Sequence, residues 1–503
     1  MRQLESGFPI GPGSALDYES TIESARRLIA DARSVVSSRR LKPAQPPAIS
    51  FEPRPRETPA KLPPGTVEPR LGPAGQAAQR LLAGQISCKE LLQESLSAVF
   101  ADDCNAFAEL MVDQCQAEAQ AMDEELAQGK PRGILHGVPV TIKDVLDVAG
   151  VPTRAGSDAY YEVPHVDAPV VARLREAGAN IIGKTSAHEF ALGLTGLQSR
   201  NPHDPGRIPG GSSSGSAIAV ARGMGLASIG TDTRGSIRVP AALCGVVGLK
   251  PTFGRVPGGG LVQLSWLMDH IGPITASVSD AALLLDVLAG TKVFQACGAD
   301  VRRLRVGVSP DSCLNGDVRV VIAFTDAVRR LTQLTGSMVE LSRPSTLDFT
   351  NANAAGLIAS RAEAASYHRR MGLDLTKYWP ATRALLEASE AITAVDYLDA
   401  QRLRAVIGEQ VMKVFDEVDV IAMPTVLIPA PLVEDAAEAA QFLGRNTSIW
   451  NFLGFPALSI PCGTTPEGLP VGLQLIAPPN EEATLIALGT AFELESAPSA
   501  PQS

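Results

Sequence analysis

The sequence predicts an α/β protein: one large domain with a central mixed β-sheet covered by helices, plus a helical and proline-rich N-terminal extension. Three observations predict it. Short apolar runs alternate with helical stretches along most of the chain. The 503 residues are 45% hydrophobic and 19% charged, enough to bury a large core. Ten prolines crowd residues 43–73, a density that neither a helix nor a central strand tolerates.

The extension comes first in the chain. Within residues 17–41, Ile22, Ala25, Ile29, Ala32 and Val36 fall on one helical face, and Ser20 with Glu23 fits a capping box. The proline-rich stretch reads as an extended, partly polyproline strap. Together they define an extension over residues 1–75. From residue 76 the pattern is globular, with helical periodicity through 76–99 and 106–128 and a β-like run at 137–142. Apolar runs at 181–182, 226–229, 304–308, 338–341, 418–423, 457–461 and 471–476 then alternate with helical stretches. Those stretches are 168–177, 216–223, 278–289, 318–334, 353–371, 382–414 and 481–494. The main domain thus covers 76–495, and residues 496–503 read as a disordered tail.

Composition excludes several function classes. A formal net charge of -10, with no long Lys/Arg block, repels phosphate backbones and argues against a nucleic-acid partner. The start MRQLESGFPI lacks the basic and apolar parts of a secretory signal, and no run reaches the ~18 apolar residues of a membrane span. The expectation is a cytoplasmic protein without a membrane partner. Seven scattered cysteines, an odd number with no Cys-x-x-Cys pair and no zinc-like His spacing, read as reduced thiols rather than metal ligands.

Two literal motif matches fail on context. Gly178-Ala-Asn-Ile-Ile-Gly183-Lys184-Thr185 fits the phosphate-loop pattern, but such a loop follows a strand and opens a helix. Here the helix comes first, and Asn180-Ile-Ile182 between the glycines reads as a strand. Gly211-Ser-Ser-Ser-Gly215 fits the nucleophile elbow of α/β-hydrolases, which needs a hydrophobic strand before it. A loop, Asn201-Pro-His-Asp-Pro-Gly-Arg-Ile-Pro209, precedes it instead.

A third constellation spans three segments: Gly137-Val-Pro-Val-Thr-Ile-Lys-Asp144, Gly210-Gly-Ser-Ser-Ser-Gly-Ser216 and Gly230-Thr-Asp-Thr-Arg-Gly-Ser-Ile-Arg-Val-Pro240. Together they resemble the amidase signature family. The resemblance continues through Cys244-Gly-Val-Val-Gly-Leu-Lys-Pro-Thr252, Met268-Asp-His-Ile-Gly-Pro273, Gly454-Phe-Pro-Ala-Leu-Ser-Ile-Pro-Cys-Gly463 and Gly468-Leu-Pro-Val-Gly-Leu-Gln474. It covers roughly residues 76–495 and implies a single amidase-signature domain.

The resemblance implies Ser236 as nucleophile, Lys143 as base and Ser212 as the relay between them, with a cis peptide bond at Gly211–Ser212. It implies an oxyanion site from the backbone N–H groups of Thr233, Arg234, Gly235 and Ser236, and chemistry that needs no metal or cofactor. Lysine ordinarily titrates near 10.4 and serves as a base only if burial or a cation lowers that value; Lys143 follows an apolar strand, consistent with burial. Asp232 and Arg238 flank the nucleophile and are expected to hold its loop in shape. Asp269 and His270 read as a structural pair.

One residue departs from the family pattern. Arg234 stands where the family usually has a small residue, and either lines the pocket to favour a polar or anionic substrate group or forms a salt bridge beneath the loop. Ser213 and Tyr160 are further substrate-binding candidates; Tyr161, Trp266, Trp379 and Trp450 are aromatic residues with either a pocket or a core role. The leading expectation is a free-standing amidase acting on a small carboxamide or ureide. Its alternatives are an amidase component that passes ammonia to a partner in an amidotransferase-type complex, or an inactive binding homologue, against which the intact Lys143, Ser212 and Ser236 argue. The extension is expected either to strap its own chain or to make a homodimer.

Overall fold

A computed structural model describes residues 18–39, 52–53, 55–56, 60–64, 70–341 and 347–496. The expected tail beyond residue 496 and much of the proline-rich strap lie outside the described residues.

The sheet is built from eleven strands: β1 Phe107–Leu110, β2 Pro139–Lys143, β3 Asn180–Thr185, β4 Ala227–Asp232, β5 Val247–Lys250, β6 His270–Thr275, β7 Val306–Val308, β8 Met338–Glu340, β9 Val420–Pro424, β10 Ala457–Thr464 and β11 Pro470–Ile476. Their spatial order is β1-β3-β2-β4-β6-β5-β10-β11-β9-β7-β8. The sheet is mixed: β3, β2 and β4 run parallel, as do β9, β7 and β8, while the other neighbouring pairs are antiparallel. Strands β2, β3, β4 and β6 are buried at every position, as expected of strands covered on both faces.

The covering helices follow the chain: α1 Tyr18–Ser38, α2 Pro73–Leu82, α3 Cys88–Phe100, α4 Val112–Ala127, α5 Pro169–Glu176, α6 Ser214–Ala221, α7 Arg238–Cys244 and α8 Val278–Ala289. The remainder are α9 Val318–Thr335, α10 Phe349–Met371, α11 Pro380–Ser389, α12 Ala394–Val414, α13 Ala436–Leu443, α14 Ser448–Phe452 and α15 Glu482–Ser496. None of the described helices is long and apolar enough to cross a membrane.

Several element boundaries differ from the periodicity. The stretch 106–128 is not one helix: its first residues form β1, which alternates in burial and pairs with the edge of β3. The stretch 382–414 divides into α11 and α12, because Thr393 and Asp396 form a reciprocal capping box that starts a new helix. Strands β5 and β6 were not among the expected apolar runs; each is interrupted by glycine, proline or a polar residue and is held by its neighbours. In the extension, Ser20 and Glu23 lie inside α1 rather than at its start, and Glu23 pairs with Arg27 one turn on.

The expected apolar face of α1 is buried in full: Ile22, Ala25, Ile29, Ala32 and Val36. It packs on α10, α11 and α12 of its own chain. Arg33 pairs with Asp396 at 2.9 Å, fixing the helix at a polar margin. Within the proline-rich region, Arg56 reaches Asp419 at 3.0 Å and Glu481 at 2.8 Å, so the extension is tied to the main domain at a second point.

Candidate active site

The site forms where the parallel strands β2 and β4 end side by side. Ile142 lies opposite Ile229, which brings Lys143 next to the C-terminal end of β4. The β-branched run Val140-Thr-Ile142 suits a strand buried on both faces, and it carries Lys143 into the interior with its side chain fully buried. The ammonium donates to Ser212 Oγ and to Thr231 Oγ1, each at 2.7 Å. Burial pulls its pKa from 10.5 down to about 7, against the opposing pull of Asp232 and Asp269.

Ser212 is presented by the glycine-serine segment that opens α6. The Gly211–Ser212 peptide bond is cis, and the Ser212 carbonyl accepts the backbone N–H of His188 at 3.1 Å. Glycine is required within this segment for close approach: a Cβ on Gly215 would meet the Ala106 carbonyl oxygen at 2.1 Å. Ser213 turns inward, donating its hydroxyl to the Thr231 carbonyl at 3.1 Å.

Ser236 sits on the loop between β4 and α7, and Asp232 organises that loop. Its carboxylate accepts the backbone N–H of Gly235 at 2.6 Å and of Ile237 at 3.1 Å, and both oxygens take the Arg238 guanidinium at 3.0 Å. Burial would raise the Asp232 pKa, but Arg238, with Lys250 and Asn451, holds it well below the usual carboxylate range. Arg238 is itself fully buried and also donates to Gln474 Oε1 at 2.6 Å and Asn451 Oδ1 at 2.5 Å. Gly235 has φ 132, and a Cβ there would meet Thr447 Oγ1 at 2.3 Å.

This arrangement separates the four loop N–H groups. Gly235 points at Asp232, whereas those of Thr233, Arg234 and Ser236 have no acceptor among the described residues. The Ser236 hydroxyl likewise has no hydrogen-bond partner among them, so the link from Ser212 to Ser236 is open in this structure. Ser236 lines a cavity of about 670 Å³ together with His188, Thr233, Arg234 and Arg361.

The family model for amidases matches residues 90–486. The chain belongs to the amidase family. Among curated relatives, an amidase of Pseudomonas putida is 38% identical over 83% of this chain and 94% of its own. A glutamyl-tRNA(Gln) amidotransferase subunit of Chloroflexus aurantiacus is 37% identical over 84% of this chain and 95% of its own. A crystal structure of an amidase superposes with a TM-score of 0.77 at 37% identity, covering 84% of this chain and 99% of that one. The chain is thus an amidase-signature hydrolase with a mixed α/β sheet.

Within this amidase, the other sequence candidates separate clearly. Arg234 lines the cavity, donating Nε–H to Ser448 Oγ at 3.0 Å, and makes no ion pair with a described carboxylate. Tyr160 and Ser213 do not line the cavity: Tyr160 packs against Phe190, with ring centroids 6.1 Å apart. Trp450 is buried in the core, Trp266 and Tyr161 face outward, and Trp379 stands edge-on behind His188. Asp269 and His270 do not pair with each other. Asp269 accepts Thr233 Oγ1–H at 2.6 Å and two backbone N–H groups, while His270 Nδ1 faces the Met268 carbonyl at 2.6 Å. Lys184 of the false phosphate loop lies in β3 and pairs with Asp144 at 2.8 Å.

Sequence reasoning missed Arg361, His188, Thr231 and Asn451. Arg361 had a signal: it and Glu363 are the charged residues in the otherwise uncharged run 349–366 of an alanine-rich helix, where a buried charge needs a reason. Among the described residues, Asp102, Asp103 and Cys104 bring possible metal-ligating atoms within 4.8 Å of one another, but none of the three lines the cavity.

Proposed function

We propose that this amidase hydrolyses the C–N bond of a small carboxamide or ureide through an acyl-enzyme on Ser236. Neutral Lys143 accepts the Ser212 proton while Ser212 takes the proton of Ser236, whose oxygen attacks the carbonyl carbon. The free N–H groups of Thr233, Arg234 and Ser236 receive the oxyanion. Collapse breaks the C–N bond, and the relay returns the proton to the leaving nitrogen as ammonia or an amine. Water then attacks the acyl ester by the same relay, releasing the carboxylic acid and restoring the Ser236 hydroxyl. No step calls on a metal or cofactor.

The observation that carries this reading is the buried Lys143 ammonium, 2.7 Å from Ser212 Oγ and titrating near 7. An ordinary lysine has too little neutral form at physiological pH to act as a base. The decisive experiment is mass spectrometry of the protein mixed with an amide: acyl adduct on Ser236 is expected, and a Ser236→Ala variant with near-normal turnover rejects the mechanism.

A second reading is favoured by the likeness to the amidotransferase relatives: ammonia formed at the same site passes to a partner. Rapid release of free ammonia by the purified chain supports the first reading, and ammonia release only with a partner added supports the second. We place residues 1–75 as a strap on the 76–495 domain, because the apolar face of α1 is already occupied by its own chain; a homodimer through that face is the competing arrangement. Seven free cysteines, six of them buried, fit a reducing compartment such as the cytoplasm.

A further inference from the structure

Two guanidinium groups in the cavity have no counter-charge among the described residues. Arg361, on α10, is 8% exposed, and its Nε and Nη1 have no hydrogen-bond partner among the described residues. Arg234, two residues before Ser236, makes one neutral hydrogen bond, to Ser448. The site's buried carboxylates are used elsewhere: Asp232 by Arg238, Asp269 by Thr233 and backbone N–H groups, and Glu363 by Ser265 and Tyr397. His188, which lines the same cavity, brings no negative charge.

Burying an unpaired cation is costly, and proteins retain such groups where a ligand completes them. The cost registers here. Burial lowers the Arg234 pKa to about 10, and burial with repulsion from Arg234 lowers that of Arg361 to about 9. Both remain charged at neutral pH. Burial, with Lys143 and Arg361 adding, lowers His188 to about 3, so its ring is neutral and contributes shape rather than charge.

Building on the hydrolase reading, we infer that Arg234 and Arg361 form a carboxylate subsite, and that the substrate is a small amide bearing a free carboxylate, such as a dicarboxylic acid monoamide. A planar carboxylate accepts two N–H donors from each guanidinium, which a neutral amide cannot do. The subsite shares the cavity with Ser236, so anchoring the carboxylate fixes where the carboxamide lies relative to the nucleophile. Hydrolysis of the monoamide consumes water and yields ammonia and the dicarboxylate.

The test compares succinamate with neutral pentanamide, and separately measures binding of succinate to Ser236→Ala by calorimetry. The wild-type chain is expected to favour succinamate by about 100-fold in kcat/KM, with Arg361→Met and Arg234→Met each reducing that ratio about 10-fold or more, chiefly through KM. Succinate is expected to bind Ser236→Ala and to lose binding when Arg361→Met is added. If no amide is cleaved but succinate binding depends on both arginines, the hydrolase reading fails and the subsite stands. Equal kcat/KM for the two amides, together with no succinate binding, overturns the subsite while leaving the hydrolase in place.

Discussion

Lys143 is the residue on which the proposed chemistry turns, and its environment sets a pH dependence. Burial favours the neutral amine, so the fraction able to accept a proton rises as pH rises through about 7. The expected profile of kcat/KM climbs about tenfold per pH unit below 7 and flattens above it. A profile flat from pH 5 to 9 speaks against Lys143 as base, and Lys143→Met is expected to lose most turnover at every pH. Asp232 makes the opposite kind of contribution: it holds geometry rather than reacting. Asp232→Ala leaves Arg238 buried without its partner and unties the N–H groups of Gly235 and Ile237, for an expected loss of about 3–5 kcal/mol, readable by urea unfolding. Gly235→Ala forces a Cβ into Thr447 at a positive φ and is expected to cost about 1–3 kcal/mol, with kcat falling as the loop shifts.

At the scale of elements, the parallel pair β2 and β4 delivers Lys143 and the Ser236 loop to one edge, and α6 closes in from the glycine-serine segment. Two of these three elements were legible in the sequence as apolar runs followed by polar ends, and the third as a loop opening a helix. The extension was legible only in part. The face of α1 could be read from a 3.6-residue period, but not what it covers. The structure shows it against α10, α11 and α12, with Leu28 and Val35 reaching the cavity wall. Ile29→Ala is expected to cost about 2–5 kcal/mol. Removing residues 1–39 is expected to lower Tm and raise KM together, because one helix serves both packing and the pocket; a truncated chain with unchanged Tm and KM removes the strap from the account.

For the whole molecule, all seven cysteines are unpaired, and burial pushes several thiols up: Cys115 to about 11, and Cys88, Cys297 and Cys462 to about 12. Thiolate is the reactive form, so a thiol reagent is expected to label the native protein slowly and chiefly at half-buried Cys313. Seven fast-reacting thiols in native conditions would contradict the burial described here.

The sequence by itself determined the α/β class and the family segments, because period, glycine placement and motif order are local properties of the chain, and the family resemblance is what singled out Lys143, Ser212 and Ser236 as candidates. Tertiary structure alone decided the rest. It withdrew Gly235 from the free N–H set by placing the Asp232 carboxylate against it, and it left Tyr160 and Ser213 out of the cavity lining. It also brought Arg361, 125 positions from Ser236, beside Arg234, with no carboxylate among the described residues to neutralise either. The reason is physical: a charge's partners and its desolvation are set by what packs around it, and that surrounding comes from segments far apart in the chain.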